Sequence, residues 1–157
     1  MTVPVRAIVA TALGLAVLVG CGSSARSATG EVVEPAGSVV LTVRVVGAPS
    51  DDGWIAVAAY GSAETFAERS APAAAARLEI AAGEAVWQTV LPRPGRYALA
   101  AFQDADANGE LDRSAVGVPT EPYGFSNDAR GRFGPPSFAA AAVDLRPGAV
   151  ELTITLR

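Results

Sequence analysis

Acidic and amide side chains are concentrated in one short stretch of the sequence, 104–112 (DADANGELD). Side-chain oxygens recur at its first, third, fifth and ninth positions, and the glycine at its sixth position permits a sharp turn. This spacing is typical of a Ca²⁺-binding loop, in which hard oxygen ligands converge on one ion. The candidate ligands are three carboxylates, one amide oxygen and one backbone carbonyl, supplied respectively by Asp104, Asp106 and Asp112, by Asn108 and by Glu110.

The stretch departs from an EF-hand loop at its twelfth position. A bidentate Glu would stand there, and this sequence has Ala115 instead, which removes two of about seven ligands. We therefore expect modest affinity unless Glu121 or Asp128 folds back toward the loop. A second interpretation stays open, in which the Asp and Asn side chains simply form Asx turns around the glycine and no ion binds.

Aromatic residues cluster just after the acidic stretch, within 123–138. Four rings with neighbouring prolines could form a platform for a sugar or another flat ligand. Such rings also commonly form a small satellite core beneath a long loop. The candidate platform residues are Tyr123, Phe125, Phe133 and Phe138.

The composition excludes several classes of chemistry. The 157 residues contain no His and one Cys, so Ser-His-Asp and Cys-His catalysis and His-ligated zinc are excluded. The formal net charge is −4, which argues against nucleic acid as a partner, because phosphate binding needs a basic patch. Any catalysis would have to come from carboxylates, hydroxyls or Arg, and the alternative for this sequence is a carboxylate enzyme such as a glycosidase. Its acids would come from the 104–121 segment: Asp104, Asp106, Glu110, Asp112 and Glu121.

The first twenty residues, 1–20, predict a lipoprotein signal peptide. Arg6 supplies a positive charge, and the uncharged run 7–19 is shorter than the roughly 20 residues of a membrane-spanning helix. The run ends in the residues LVGC at 18–21, which resemble the bacterial lipobox. That resemblance implies that the thiol of Cys21 receives lipid and becomes the mature N-terminus, so Cys21 is an anchor to the membrane.

The residues around the cleavage point bear on the location of the protein. Ordinary secretory cleavage near 25–28 is the alternative to lipidation, and it would leave a soluble protein. Gly22 follows the cysteine, where an Asp would retain the lipoprotein in the inner membrane of enteric bacteria. For a Gram-negative host we therefore expect the periplasmic face of the outer membrane.

The remaining sequence predicts a flexible tether over 21–37 and one domain over 38–157. Alternating or continuous apolar runs bounded by Gly and Pro indicate about seven strands and one short helix, followed by a long loop near 104–136. The expected fold is an all-β antiparallel β-sandwich. We expect the first two strands to form a hairpin, and the 137–145 segment to be a strand or a helical turn. The predicted strands are 38–47, 54–60, 77–81, 85–91, 96–103, 137–145 and 150–156, with the helix at about 62–69.

Several motifs in the second half resemble the bacterial domain-of-unknown-function family 2141. They are the G-x-Y-A at 95–98, the D-x-D-x-N-G-x-L-D at 104–112, the G-x-P-x-E-x-Y-G-F-S-N at 117–127 and the F-G-P-P-S-F at 133–138. The resemblance implies an exported protein with a prealbumin-like or immunoglobulin-like sandwich. It implies no activity.

These observations favour a lipid-anchored protein of the bacterial cell envelope that is not an enzyme. Its sandwich would present the long loop, stiffened by Ca²⁺ as its only cofactor, to an envelope protein or a small ligand. Two alternatives remain: a carboxylate-based, glycosidase-like hydrolase, and an assembly factor that acts through an exposed sheet edge.

Overall fold

The computed structural model describes residues 37–132 and 134–157. Within these residues the chain is mostly β-structure, with eight strands in two sheets. The strands in chain order are β1 (Val39–Val46), β2 (Trp54–Tyr60), β3 (Ala74–Leu78), β4 (Glu84–Leu91), β5 (Gly95–Asp104), β6 (Tyr123–Phe125), β7 (Ala142–Leu145) and β8 (Gly148–Thr155). The predicted all-β sandwich is confirmed. The predicted number of about seven strands is one too low, because the short strand β6 lies inside the predicted long loop.

The first sheet has the strand order β4-β1-β8. Every second residue of β1, beginning with Val39, is fully buried, as the alternating pattern predicts for a strand with one face on the core. Trp87 of β4 and Ile154 of β8 are buried on the same side. This sheet therefore contributes one wall of the core.

The second sheet has the order β3-β2-β5-β6, and β7 pairs with the beginning of β5. Ile55 of β2 and Leu99 of β5 are fully buried in the same apolar cluster as the inner face of the first sheet. The central strand β5 ends at Asp104, where the predicted long loop begins. The first acidic residue of the loop therefore lies at the end of a strand that has paired neighbours on both sides, β2 on one and β6 and β7 on the other.

Two details of the predicted topology are wrong. The first two strands do not form a hairpin, because β1 pairs with β4 and β8 while β2 pairs with β3 and β5. The connection 47–53 crosses from one sheet to the other, which lets both strands bury apolar faces in the shared core. The sandwich is also not wholly antiparallel, since β1 and β8 run parallel in register from Val39↔Gly148 to Val46↔Thr155.

The helical elements are short. Helix α1 (Ala63–Glu68) is capped by Ser62, whose hydroxyl accepts a hydrogen bond from the Thr65 amide, as predicted for a serine cap. The 137–145 segment divides into a helical turn α2 (Phe138–Ala141) followed by β7, and a 3₁₀ turn occupies Ser126–Asp128. The predicted strand at 77–81 lies earlier in the chain, at Ala74–Leu78.

Candidate functional site

The acidic loop is built on the end of β5. Asp104 is fully buried, and its backbone pairs with Trp54 at the start of β2. The turn before β2 packs directly on it, because a Cβ placed on Gly53 would lie 1.8 Å from the Asp104 carbonyl oxygen. Only glycine fits at this position, which has a φ of +67°. The backbone around Asp104 is therefore fixed from both sides.

The Asp104 carboxylate organises the loop that follows it. One of its oxygens accepts a hydrogen bond from the Asn108 amide at 3.0 Å, and the other accepts one from the Gly109 amide at 2.7 Å. Asp106 adds an Asx turn by accepting from the same Asn108 amide at 3.1 Å. Asp104 thus bonds to amides four and five residues ahead, which closes the loop into a ring.

The Asn108 side chain lies between two acids. Its Nδ2 donates to Asp106 and to Asp112, each at 3.1 Å, while its Oδ1 accepts a hydrogen bond from the Glu110 amide at 2.7 Å. The sequence pattern predicts this oxygen as a metal ligand. In the structure it instead closes a second Asx turn, because it accepts from the backbone N–H two residues ahead.

Glu121 joins the two ends of the acidic loop. Its carboxylate accepts hydrogen bonds from the amides of Ala105 at 2.9 Å and Asp112 at 3.0 Å, and the residue is buried. Of the two acids that the sequence offers for folding back, Glu121 lies at the loop. Asp128 instead pairs with Arg157 at 3.1 Å.

A compact turn between Asp112 and Glu121 brings that glutamate back. Arg113 and Pro119 form an isolated bridge, and the Thr120 amide donates to the Asp112 carbonyl at 2.9 Å. Ala115, at the position where an EF-hand has its bidentate Glu, is exposed in this turn. The turn therefore places the Glu121 carboxylate, and not the residue at position 115, beside the acidic loop.

Three carboxylates converge at this site. Asp104, Asp106 and Glu121 each present an oxygen, and these three oxygens all lie within 4.8 Å of one another. The group could hold a metal ion. Among the described residues, no Arg forms an ion pair with any of the three. Of the other predicted ligands, Asp112 is exposed and linked to the group through Asn108, and the side chain of Glu110 is exposed.

The residues predicted to form an aromatic platform lie in different environments in the structure. Phe125 is buried, and Phe138 is half-buried; both rings meet Phe66 of α1 edge-to-face, with centroids 5.9 and 6.1 Å away. They belong to a second apolar cluster, which corresponds to the satellite core that the sequence allows. Tyr123 is 37% exposed, and Phe133 lies outside the described residues.

One cation lies within the aromatic cluster. The Arg69 guanidinium is 4.5 Å from the centroid of the Phe66 ring and 5.3 Å from that of Phe125. Burial lowers the pKa of Arg69, and burial also raises the pKa of the neighbouring Tyr60 hydroxyl above its ordinary value. These contacts give Arg69 a packing role between α1 and β6.

A cleft of about 170 Å³ lies beside this cluster and is lined by residues that include Tyr123, Arg130 and Arg157. It is separate from the three convergent carboxylates, none of which lines it. The predicted lipidation site, Cys21, lies outside the described residues. In the described part of the chain, no helix has the length and apolar character needed to cross a bilayer.

Comparison with models of protein families gives a match over most of the described chain. The model of a family described as "Uncharacterized protein conserved in bacteria (DUF2141)" matches residues 43–153, which include all three carboxylates of the site. Neither the curated proteins nor the solved structures give a significant match.

Proposed function

This chain belongs to the family of uncharacterised proteins conserved in bacteria, DUF2141, and we propose that it is a lipid-anchored envelope protein whose acidic loop binds Ca²⁺. The family description names no activity, so the support comes from the site itself. The proposed role is that of a binding or structural module that is not an enzyme. Its partner is an envelope protein or a small ligand.

The convergence of Asp104, Asp106 and Glu121 carries this proposal. Ca²⁺ binds carboxylate oxygens at about 2.3–2.6 Å, so oxygens on opposite sides of one ion are about 5 Å apart. The 4.8 Å limit on the three oxygens therefore suits a single ion. Without a cation, two such charges repel by about 1–1.5 kcal/mol at an effective dielectric constant of about 50–80, which is appropriate because Asp106 is exposed to water. A divalent ion offsets this repulsion.

Further oxygen ligands are available near the three carboxylates. The carboxylate of Asp112 lies on the other side of the Asn108 amide, which donates to both Asp106 and Asp112. A bound cation would replace these two amide donors. The Asn108 side-chain oxygen, which accepts from the Glu110 amide at 2.7 Å in the structure, would have to turn toward the ion to serve as a further ligand beside the Glu110 carbonyl.

The same geometry disfavours the hydrolase alternative. A glycosidase needs two carboxyl groups about 5–9.5 Å apart across an open cleft, with one group free to donate a proton. Asp104 and Glu121 are buried, and both oxygens of each accept hydrogen bonds from backbone amides. Such carboxylates support a structural ion better than a substrate.

Cys21 carries the proposed membrane attachment, and the support is its lipobox context in the sequence. Three acyl chains on a mature bacterial lipoprotein hold it stably, whereas a single chain holds only marginally. Gly22 favours the outer membrane in a Gram-negative host. Changing Cys21→Ala should move the full chain from the membrane fraction to the soluble fraction, and continued membrane retention would exclude lipid anchoring.

Calcium titration of the full chain in detergent tests the site. With a dissociation constant of about 1 mM, 10 mM Ca²⁺ stabilises the folded state by about 1.4 kcal/mol, which raises the melting temperature by roughly 4–6 °C. Asp106→Asn should abolish most of this rise.

Asp144→Asn is the matched control for that titration, because Asp144 is exposed. Its carboxylate oxygen lies 3.8 Å from the Arg96 Nε, which makes a weak surface ion pair. The control should keep the full response to Ca²⁺. If the wild-type melting temperature does not respond to 10 mM Ca²⁺, or if both variants respond equally, the proposed site is wrong.

A further inference from the structure

Strand β4 is an edge of the first sheet, and it is unprotected after its first residue, Glu84. It stands at the end of the order β4-β1-β8, and its residues 85–91 (AVWQTVL) contain no charge and no proline. Soluble proteins usually protect such an edge with charged side chains, Pro or a bulge. Val86 and Val90 on the outer face are 52% and 48% exposed. The edge therefore has the composition of a strand that is covered by a partner strand.

The hydrogen bonds on either side of this strand show which backbone groups point outward. Glu84 exchanges both of its backbone bonds with Ala81, on the side away from β1. In β1, the Val46 carbonyl accepts from Leu156 beyond β8, so Val46 also faces away from β4. Because direction alternates along a strand, the even-numbered residues of β4 direct N–H and C=O outward.

The outward groups between Glu84 and Pro92 belong to Val86, Gln88 and Val90. In the described chain, none of these three residues has a backbone bond other than those within the sheet. Each has one donor and one acceptor on the free edge, and the three are spaced symmetrically about Gln88. Antiparallel strands exchange both bonds between such directly opposed residues.

We propose that two copies of this chain associate by antiparallel pairing of β4 with β4, with the two-fold axis at Gln88. The pairs are Val86 with the second copy's Val90, Gln88 with its counterpart, and Val90 with the second copy's Val86. Each pair exchanges two backbone hydrogen bonds, and the three-stranded sheets join into one sheet of six strands. The Val–Val pairs on the exposed face add favourable cross-strand contacts.

The ends of the strand select this register. Glu84 already uses its outward groups on Ala81, and Pro92 has no N–H to donate. A shift of two residues in either direction would oppose Val to Gln and leave two hydrogen-bonded pairs instead of three. The strand is thus most self-complementary when centred on Gln88, which favours a second copy over an unrelated partner. This inference does not use the acidic loop.

Disulfide trapping in cells tests the pairing with the full chain. In a hydrogen-bonded antiparallel pair the Cα atoms are about 5.5 Å apart, which suits a disulfide. Gln88→Cys should therefore give a covalent dimer. Thr42→Cys is the matched control. Thr42 lies on β1 directly opposite Gln88, so in the proposed dimer the two copies of Thr42 would be three strand spacings, about 14 Å, apart. Both variants retain Cys21, so bridging through Cys21 would appear in both.

Charge exchange at the axis tests the register independently. Gln88→Lys should oppose Lys to Lys and weaken self-association, and Gln88→Glu should do the same. When the two variants are co-expressed with different tags, the amount of one that co-purifies with the other should be about 5-fold higher than when two differently tagged copies of the same variant are co-expressed. The proposal is overturned if Gln88→Cys gives no more dimer than Thr42→Cys, or if the mixed pair gains nothing. The proposal is also overturned if Gln88→Cys forms no dimer and its new thiol bonds instead to another protein or to the chain's own residues 1–36.

Discussion

Glu121→Gln separates a loop that is only hydrogen-bonded from one that also binds a cation. The wild-type carboxylate accepts two backbone N–H bonds, from Ala105 and Asp112. Glutamine has one acceptor oxygen, so one of these amides would face an NH₂ group. The substitution also removes one of the three convergent negative charges. The first effect destabilises the folded protein, and the second stabilises it.

The two effects have comparable size in the absence of a cation. Losing one charge-assisted bond and weakening the other costs about 2–4 kcal/mol. Removing the repulsion of one charge by its two neighbours returns roughly 1–3 kcal/mol, because the site is only partly shielded from water. We expect a net loss of about 1 kcal/mol in EDTA. In 10 mM Ca²⁺ the loss should increase by up to about 1.4 kcal/mol, because an ion ligand is removed as well.

Urea unfolding followed by fluorescence of the two buried or half-buried tryptophans, Trp87 and Trp54, measures both values. Glu110→Gln is the matched control, since its side chain is exposed in the same loop and its backbone carbonyl is retained. The control should lose little stability in either buffer. Equal losses for Glu121→Gln with EDTA and with Ca²⁺ would show that the loop is a hydrogen-bonded turn that binds no ion.

Two further predictions concern the second apolar cluster, which contains Tyr60, and the neighbouring residue Ser126. The buried Ser126 hydroxyl accepts from the Leu99 amide at 2.9 Å and donates to the Ala141 carbonyl at 2.5 Å. Ser126→Ala should therefore destabilise the fold by about 2–4 kcal/mol in urea unfolding, whereas the exposed Ser70→Ala should cost less than about 0.5 kcal/mol. Burial raises the pKa of Tyr60 above that of the unfolded chain, so its contribution to stability is present below pH 10 and is lost as the pH rises further. The urea midpoint of wild type should fall more steeply than that of Tyr60→Phe between pH 9 and 11, and parallel curves would contradict the assignment.

The sequence predicts those parts of the fold that depend on local pattern. The alternation in β1, the serine cap of α1 and the acidic turn are encoded by residues within a few positions of one another, and each occurs as predicted. Strand order depends on which faces meet in the core, so the pairing of β1 with β4 and β8 did not follow from the pattern.

The candidate site was only partly predictable for the same reason. Asp104 and Asp106 belong to a recognisable spacing. Glu121, by contrast, reaches the loop through the turn of eight residues 113–120, whose closure no local pattern marks. The available signal was the missing ligand at Ala115, which pointed to a later acid without choosing between Glu121 and Asp128. The ion pair of Asp128 with Arg157 joins two distant segments, so only the structure makes that choice.

The hydrogen bonds of the acidic loop create the charge problem that an ion would solve. A loop without sheet partners must satisfy its backbone N–H groups with side-chain acceptors, and here Asp104 and Glu121 satisfy four of them. Placing these acceptors together brings negative oxygens within 4.8 Å of one another. Monovalent salt screens charges over about 8–10 Å, so it acts weakly at this distance. A Ca²⁺ response that persists when NaCl keeps the ionic strength constant would therefore arise from an ion inside the group, and a response abolished by NaCl would arise from screening alone.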